Sequence, residues 1–546
     1  MCGTPCRGGI WIYPDGILIP LLFRCDSENL SHFFVLLQMM KLIWENILRL
    51  LRTAPMLCAL PALIVGILLG EWMGMPAAVA IAVFVLMVVL TLRYGGDYLL
   101  LLAIVMAGVV SATLRSAPSL PEHGEMEIEV GRIIRITDGR TTAQGRVVAF
   151  MHEGKSYRSR AEVRILSDEP IKQGDRIVVV AAAHPFERSS GTGRYMAAQG
   201  FAAQILISAD NILHRRTASA SLIGRWQAEA KRRIAQLGLS PKTEMVASAV
   251  SIGQRDALTE PLQRDYSLSG GAHLLAVSGL HVGFIFAILN LLLSFFTLLR
   301  GGQVIRSVMI IAAIWIYAAL ADFSPSVVRA ATMFSIMQVA TSLYSSVRSV
   351  NTLAFIAFIM LAIDARTLHD VGFQLSFLSV AAILLWVVPY TQATRQLLPS
   401  HSMWRDVARR LTQRAMTAIG VSIAATAATM PLVSHTFGTM SLWGILLSPL
   451  MVPLCAIIVG TTLLWVLFPI APLQGVAAWI IEQATEAMNS LATWAAGSGM
   501  LWAEASISRG WCYAIYILLF IFTLILWAWE KPSSSRFSRQ LHRKEE

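Results

Sequence analysis

Apolar residues along this chain gather into runs long enough to cross a membrane, and the pattern changes character twice before settling. Runs at about 55–72, 75–92 and 98–114 each approach the roughly 20 residues needed to span a 30 Å hydrocarbon layer. From 116 to 214 the pattern becomes alternating and β-branched, in MEIEVGRIIRIT, TTAQGRVVAF, YRSRAEVRIL, DRIVVVAAA and GFAAQILIS. These read as five short strands, divided by turn signals such as Asp138-Gly139 and Gly174-Asp175, with one short helical piece, RYMAAQ, before the fifth. Five strands in roughly a hundred residues predict an OB-like barrel, and an SH3-like barrel fits almost as well.

Between 215 and 270 the period turns helical. Leu222, Ile223, Trp226, Ala230, Ile234 and Leu237 recur at helical spacing, while Arg225, Lys231, Arg232 and Arg233 take the other face. That is the pattern of a helix lying in a membrane interface, with anionic lipid or passing nucleic acid as the partner of its basic face. Beyond Gly270 apolar segments return at about 272–299, 307–321, 325–345, 350–363, 371–390, 415–434, 441–468, 473–497 and 510–529. Pro449 and Pro453 predict a broken helix or a simple proline kink within 441–468, and Glu482, Glu486 and Asn489 on one face make 473–497 a segment that spans or lies along the surface.

Composition agrees with the pattern. With 55% apolar and 14% charged residues among 546, the chain leaves the soluble globular class for a polytopic α-helical membrane protein of about ten to twelve spans carrying an inserted external β-barrel, OB-like. The net charge of +11 falls largely in linkers: Arg300–Arg306, Arg348, Arg395–Arg414 and the tail after Lys531. Arg49 and Arg52 before the first run, and Arg93 after the second, put both termini in the cytoplasm and the β domain outside the membrane. The resulting order is a 1–38 extension, three helices over 39–115, the β domain over 116–214, an amphipathic connector over 215–270, a helical block over 271–530 and a basic tail over 531–546. Residues 1–38 lack the look of a signal peptide, and the natural start is expected at Met39-Met40, before the basic lead-in KLIWENILRLLR. The six cysteines suggest neither a disulfide framework nor a zinc pair.

Polar side chains inside apolar runs carry the chemistry, because ionisable groups there tend to face a partner, a cavity or a pathway. His273 and His281 in HLLAVSGLHVG are eight residues apart, about 80° around one helix, so both rings are expected to look into one space. Ser278, Gly279 and Gly283 accompany them. Asp322 and Arg329, seven apart, are expected near one helical face, as an ion pair or as two lining residues. Asp370, Gln374 and Ser376 begin another run, and Thr426, Thr429, Pro431 and His435 lie in a later one. No clustered His/Asp ligand set and no GxxxxGK[ST] loop occurs, since HEGKS has Ala149 where the first glycine would stand. Neither a metal, a cofactor nor an enzymatic activity is expected of the chain.

The run SIGQRDALTEPLQRDYSLSGGAHLLAVSGLHVG, with SPSVVRAATM, DVGFQLSFLSVAAI and TMPLVSHTFGTMSLWGILLSPLMVP, covers most of 243–455 and resembles the ComEC family, the inner-membrane DNA-uptake proteins of natural competence. YMAAQGFAAQI likewise resembles the later part of the family's external OB-like domain. The resemblance implies a channel passing one DNA strand into the cytoplasm, with His273, Ser278, Gly279, His281, Gly283, Asp322, Arg329, Gln374 and His435 as lining or gating candidates. Arg132, Arg135, Arg146, Arg158, Arg160, Arg225, Lys231, Arg232 and Arg233 are the DNA-binding candidates. Many family members also carry a metallo-β-lactamase-like domain, whereas only KPSSSRFSRQLHRKEE follows the last run here.

The resemblance implies single-stranded DNA and membrane lipid as partners, with a separate DNA receptor, a separate cytoplasmic ATPase or helicase, and a homo-oligomer as an open option. The competing expectation is a membrane-embedded enzyme or small-solute transporter using His273, His281 and Asp322.

Overall fold

The computed structural model describes residues 55–114, 120–137, 140–152, 155–186, 193, 196, 200–217, 222–254, 258–343, 349–388 and 403–529. The expectations for the 1–38 extension, the basic lead-in, most of RYMAAQ, Arg348, part of the 395–414 linker and the tail lie outside those residues, as do the side chains of Arg132 and Arg135. Residues Thr53–Thr523 form one compact unit.

The first three runs are helices α1 (Met56–Met73), α2 (Ala77–Tyr94) and α3 (Asp97–Leu114). Gly66, Gly70 and Gly108 let α1 and α3 meet backbone to backbone. A Cβ at Gly66 would collide with the Val105 carbonyl, and one at Gly108 with that of Leu63. Small residues serve this purpose between helices in lipid, where apolar burial alone gives no drive to associate. The G-x-x-x-G spacing of Gly66 and Gly70 was a readable signal that the sequence reading passed over.

The alternating region forms β1 (His123–Thr137), β2 (Arg140–His152), β3 (Lys155–Arg158), β4 (Glu162–Ser167), β5 (Arg176–Pro185), β6 (Phe201–Ile207) and β7 (Ile212–Arg216). Five strands close into a barrel in the order β1-β2-β4-β6-β5, with β5 returning to β1 and with β4 and β6 running parallel. Seven strands replace the expected five, because YRSRAEVRIL breaks after Arg158 into β3 and β4 and because ILHRR adds β7 beside β5. Met126, Ile128, Val147, Val163, Ile165, Ile177, Val179 and Ile205 fill the interior with no exposure. At the Gly174-Asp175 turn the buried Asp175 carboxylate accepts from the Lys172 backbone at 3.0 Å and from Arg215 on β7 at 2.7 Å, pinning β7 to the barrel.

Next come α4 (Leu222–Ala235), α5 (Pro241–Ile252), α6 (Glu260–Leu268), α7 (Gly279–Leu292), α8 (Gly302–Leu320), α9 (Pro325–Leu343), α10 (Ser349–Ile363) and α11 (Val371–Ala382), the last continuing through a wider turn to Val387. They are followed by α12 (Met403–Phe437), α13 (Trp443–Leu467), α14 (Gln474–Gly497) and α15 (Arg509–Trp529), with a two-stranded ribbon of β8 (Thr439–Ser441) and β9 (Trp502–Glu504). Among the described residues seven helices are long and apolar enough to cross a membrane, and three further apolar helices are shorter, where ten to twelve spans were expected.

Two details refine the sequence reading. First, α13 runs unbroken through Pro449 and Pro453. A proline removes one helical hydrogen bond and crowds the preceding turn, which need not end a helix packed on its neighbours. Second, α14 buries Ile481, Ala484, Met488, Ala492 and Ala495 against its neighbours, while its polar face lines an open groove of about 520 Å³ with Glu486 exposed. On that face Tyr266 donates to Asn489 at 2.8 Å and the Ser240 N–H to Glu482 at 3.4 Å.

Candidate functional site

The barrel meets the helices at one end of the block. Gln173 of the barrel donates to Asp322, in the α8–α9 turn, at 3.0 Å. Gly200, with φ +89°, lies so close to the Arg366 guanidinium that a Cβ there would collide with it. The Asp364–Gly372 segment joining α10 to α11 also reaches α1, where His369 bonds Glu71 at 2.9 Å, and Ser111 of α3 donates to Leu361 at 3.1 Å. The opposite end is fixed separately, by Met56 N–H on Asn351 at 3.0 Å and Arg306 on Asn290 at 2.7 Å.

At the barrel end lies HLLAVSGLHVG, and its geometry differs from the helical expectation. The helix begins only at Gly279, so His273 and His281 do not share a helix and the 80° relation does not hold. Gly270, Gly271 and Ser278 favour loop and cap conformations over helix; Gly270 has φ +74° and its backbone abuts Gly444. His273 is exposed on that loop, its Nδ1 3.1 Å from the Gly270 carbonyl.

His281 is completely buried in the first turn of α7. The Ser278 backbone N–H donates to its Nδ1 at 3.0 Å, the Ser278 hydroxyl lies 2.9 Å from the same nitrogen, and Nε2 is 3.3 Å from Cys455 Sγ on α13. Because a backbone N–H can only donate, Nδ1 is the acceptor and the proton sits on Nε2, directed at sulfur. The ring is thus a neutral joint between the α7 cap and α13. Cys455 was not picked out by the sequence reading; its only signal was a lone cysteine two residues after Pro453.

Gly279 and Gly283 face α9: a Cβ at either would stand 3.4 Å from Ala330 or Phe334, at the tight edge of ordinary contact. Ser326 of α9 completes the joint by donating to the Val277 carbonyl at 2.7 Å.

Arg329 pairs with Asp370 at 3.1 Å, not with Asp322, so of the two options for Asp322 and Arg329 the mutual ion pair does not form. Asp322 precedes α9 in a left-handed turn with φ +55°, so the seven-residue helical spacing does not apply to it. Gln374 stands beside this pair, its side chain on the Leu368 carbonyl at 2.8 Å. His435 is held separately, with Nδ1 2.9 Å from the Ile507 carbonyl. Arg366 is gripped by Asp364 at 3.0 Å and was also missed, although DARTLHD crowds four ionisable residues into the short break between two apolar runs.

The basic candidates divide. Arg146, Arg158 and Arg160 are exposed on the barrel, but Arg146 lies opposite Glu129 on one neighbouring strand and Glu162 on the other. On α4, Arg225 and Lys231 are exposed. Arg232 and Arg233 converge on Glu229 at 2.7 and 2.8 Å, and their hydrogen bonds pull its carboxyl down to about 2. Arg233 also donates to the Val466 carbonyl and Gln227 to that of Leu320, so Ala230 and Ile234 are covered by protein while Leu222 and Trp226 stay exposed. Among the described residues no three His, Cys, Asp or Glu side chains gather as a metal set.

Comparison with known proteins follows this geometry. Over 217 residues the chain is 27% identical to ComE operon protein 3 of Bacillus subtilis (strain 168), a match covering 39% of this chain and 25% of that protein. The chain thus matches about a quarter of the length of that relative. No solved structure matches it. The family model described as Competence protein matches residues 250–530, just over half of the chain, from the end of α5 through HLLAVSGLHVG to the end of α15. The chain therefore belongs to the Competence protein family and is a ComEC-family protein.

Proposed function

We propose that this chain is a membrane channel that conducts single-stranded DNA into the cytoplasm during natural transformation. The observation that carries the reading is the junction itself: within the family-matched region, the helix ends holding Asp322, Arg329 and Arg366 are bonded to a closed β-barrel. A polyanion cannot cross hydrocarbon. It needs a polar route with fixed positive charge, and a receiving surface ahead of it.

The barrel supplies that surface in this reading. Its strand order, with the third and fifth closing strands parallel, suits an OB-like barrel, a fold used to hold single strands. Arg146, Arg158 and Arg160, with the Phe150–Tyr157 stack beside them, are the contacts proposed on it, and Arg225 and Lys231 those on α4. The barrel lies outside the cytoplasmic membrane and both termini inside. A separate receptor delivers the DNA, a separate ATPase or helicase draws it in, and the chain itself performs no catalysis. His281 acts in this reading as a joint whose release would move α7 against α13, rather than as a ring lining an open path.

Deleting the gene is expected to abolish transformation while DNA still binds the cell surface. Normal transformation in the deletion strain would overturn the proposal.

A further inference from the structure

Two arginines at the barrel–helix junction are held in the same unusual way. Each guanidinium is paired with an aspartate that is also the N-cap of a short helix. Asp364 accepts from the Arg366 backbone N–H at 3.1 Å and Asp370 from that of Phe373 at 3.0 Å. Each guanidinium also packs on a glycine: Arg366 against Gly200 of the barrel, and Arg329 against Gly372, where a Cβ would lie 2.6 Å from Nη2. Arg366 keeps 28% of its side-chain surface exposed, and Arg329 11%.

The double use of the aspartates decides what these pairs can do. A buried ion pair resists opening because the abandoned carboxylate has nothing left to bond. Here the cap N–H remains on each carboxylate when the guanidinium leaves, so that penalty is reduced. A phosphodiester offers guanidinium the same pair of oxygens as a carboxylate. The bare backbone at Gly200 and Gly372 is what lets each guanidinium lie against it without a side chain between.

We infer that Arg329 and Arg366 form an exchangeable phosphodiester-binding site at the foot of the barrel, with Asp370 and Asp364 occupying the guanidinium groups whenever no strand is bound. The inference rests on the DNA-conducting reading and adds to it a named site, a resting state and two competitor residues. Glu162 of the barrel stands near enough to act on Arg366, and Glu71 and Asp322 flank the same segment, so these carboxylates oppose any anionic ligand and keep the affinity for a single phosphate low.

The test uses the purified full chain in detergent and a fluorescein-labelled oligothymidylate, with dissociation constants measured by anisotropy across a salt series. Arg329→Gln and Arg366→Gln are each expected to weaken binding about tenfold at low salt and to reduce the logarithmic salt slope by about 0.7, the value for one phosphate contact on a single strand. Asp364→Asn and Asp370→Asn keep a capping oxygen, so the helix starts persist, and both are expected to tighten binding at an unchanged slope. Arg366→Lys is expected to recover part of the slope and less of the affinity. If the arginine variants lower thermal stability yet bind with wild-type affinity and slope, the pairs are structural only and the inference fails while the channel reading stands. If the wild-type chain fails to bind the oligonucleotide at all, the DNA-conducting reading itself fails.

Discussion

The barrel and the helical block bury their side chains for different reasons. Along β5, Ile177, Val179, Ala181 and Ala183 point inward and their neighbours outward, so alternation in the sequence is alternation in burial. Water outside and a packed interior make apolar character a direct readout of position. In the helices that correspondence is lost. Only 6% of the span in α2 is buried within the protein, and even α13 reaches only 39%. An apolar side chain facing lipid is as well placed as one facing a neighbouring helix, so polar groups mark the interior instead. Ser307, Gln338 and Ser342 illustrate this: they bond one another at 2.6 and 3.0 Å between α8 and α9, with Gln338 only 3% exposed.

The most direct attempt to break the contrast is a pair of truncations, one in each region. Ile165 is fully buried in β4 with its Cδ1 against Gly145 of β2. Ile165→Ala is expected to cost roughly 2–5 kcal/mol, read as faster amide exchange through β2, β4 and β6. Unchanged exchange in those strands would show that the barrel interior is not the packed core described. His281→Ala removes a polar joint and leaves the Ser278 N–H without its acceptor, at about 1–3 kcal/mol. Its signature is different in kind: Cys455, inert to maleimide when buried against the ring, is expected to become reactive. A variant in which Cys455 stays protected would mean that α7 and α13 are held together without the histidine.

How far the sequence could be read follows the same division. The strand-forming segments and the barrel were legible because period two survives in water, although the break after Arg158 and the added β7 were not. The first three helices were legible because a run of membrane-crossing length has few alternative uses. The start of α7 was not: HLLAVSG looks like helix by hydropathy, and only Gly270, Gly271 and the Ser278 cap hinted that the chain arrives as a loop. Arg329 was singled out as an ion-pair or lining residue, and its partner is 41 residues away, where spacing along one helix could not reveal it. Family-level motifs pointed to the right segments without saying which side chains meet.

The subtlest way to sharpen the comparison uses the ion pair at the barrel end of α1. His369 bonds Glu71, and that hydrogen bond, opposed by partial desolvation, holds its imidazole above the usual histidine range. A raised pKa in the folded chain means that the pair's contribution is complete below the unfolded value of about 6.5 and is lost as pH climbs through the higher folded value. Both side chains keep more than a third of their surface, 35% and 40%, so water screens the pair and its worth stays under about 1 kcal/mol. Wild type is therefore expected to exceed His369→Gln in thermal stability by a small margin near pH 6, with the margin closing by about pH 9. A margin that is flat with pH, or that grows toward alkaline pH, would show that His369 acts through packing. A closing margin that also shrinks in high salt would place this end of α1 in water, under the rules that govern the barrel surface and not those of the lipid-facing helices.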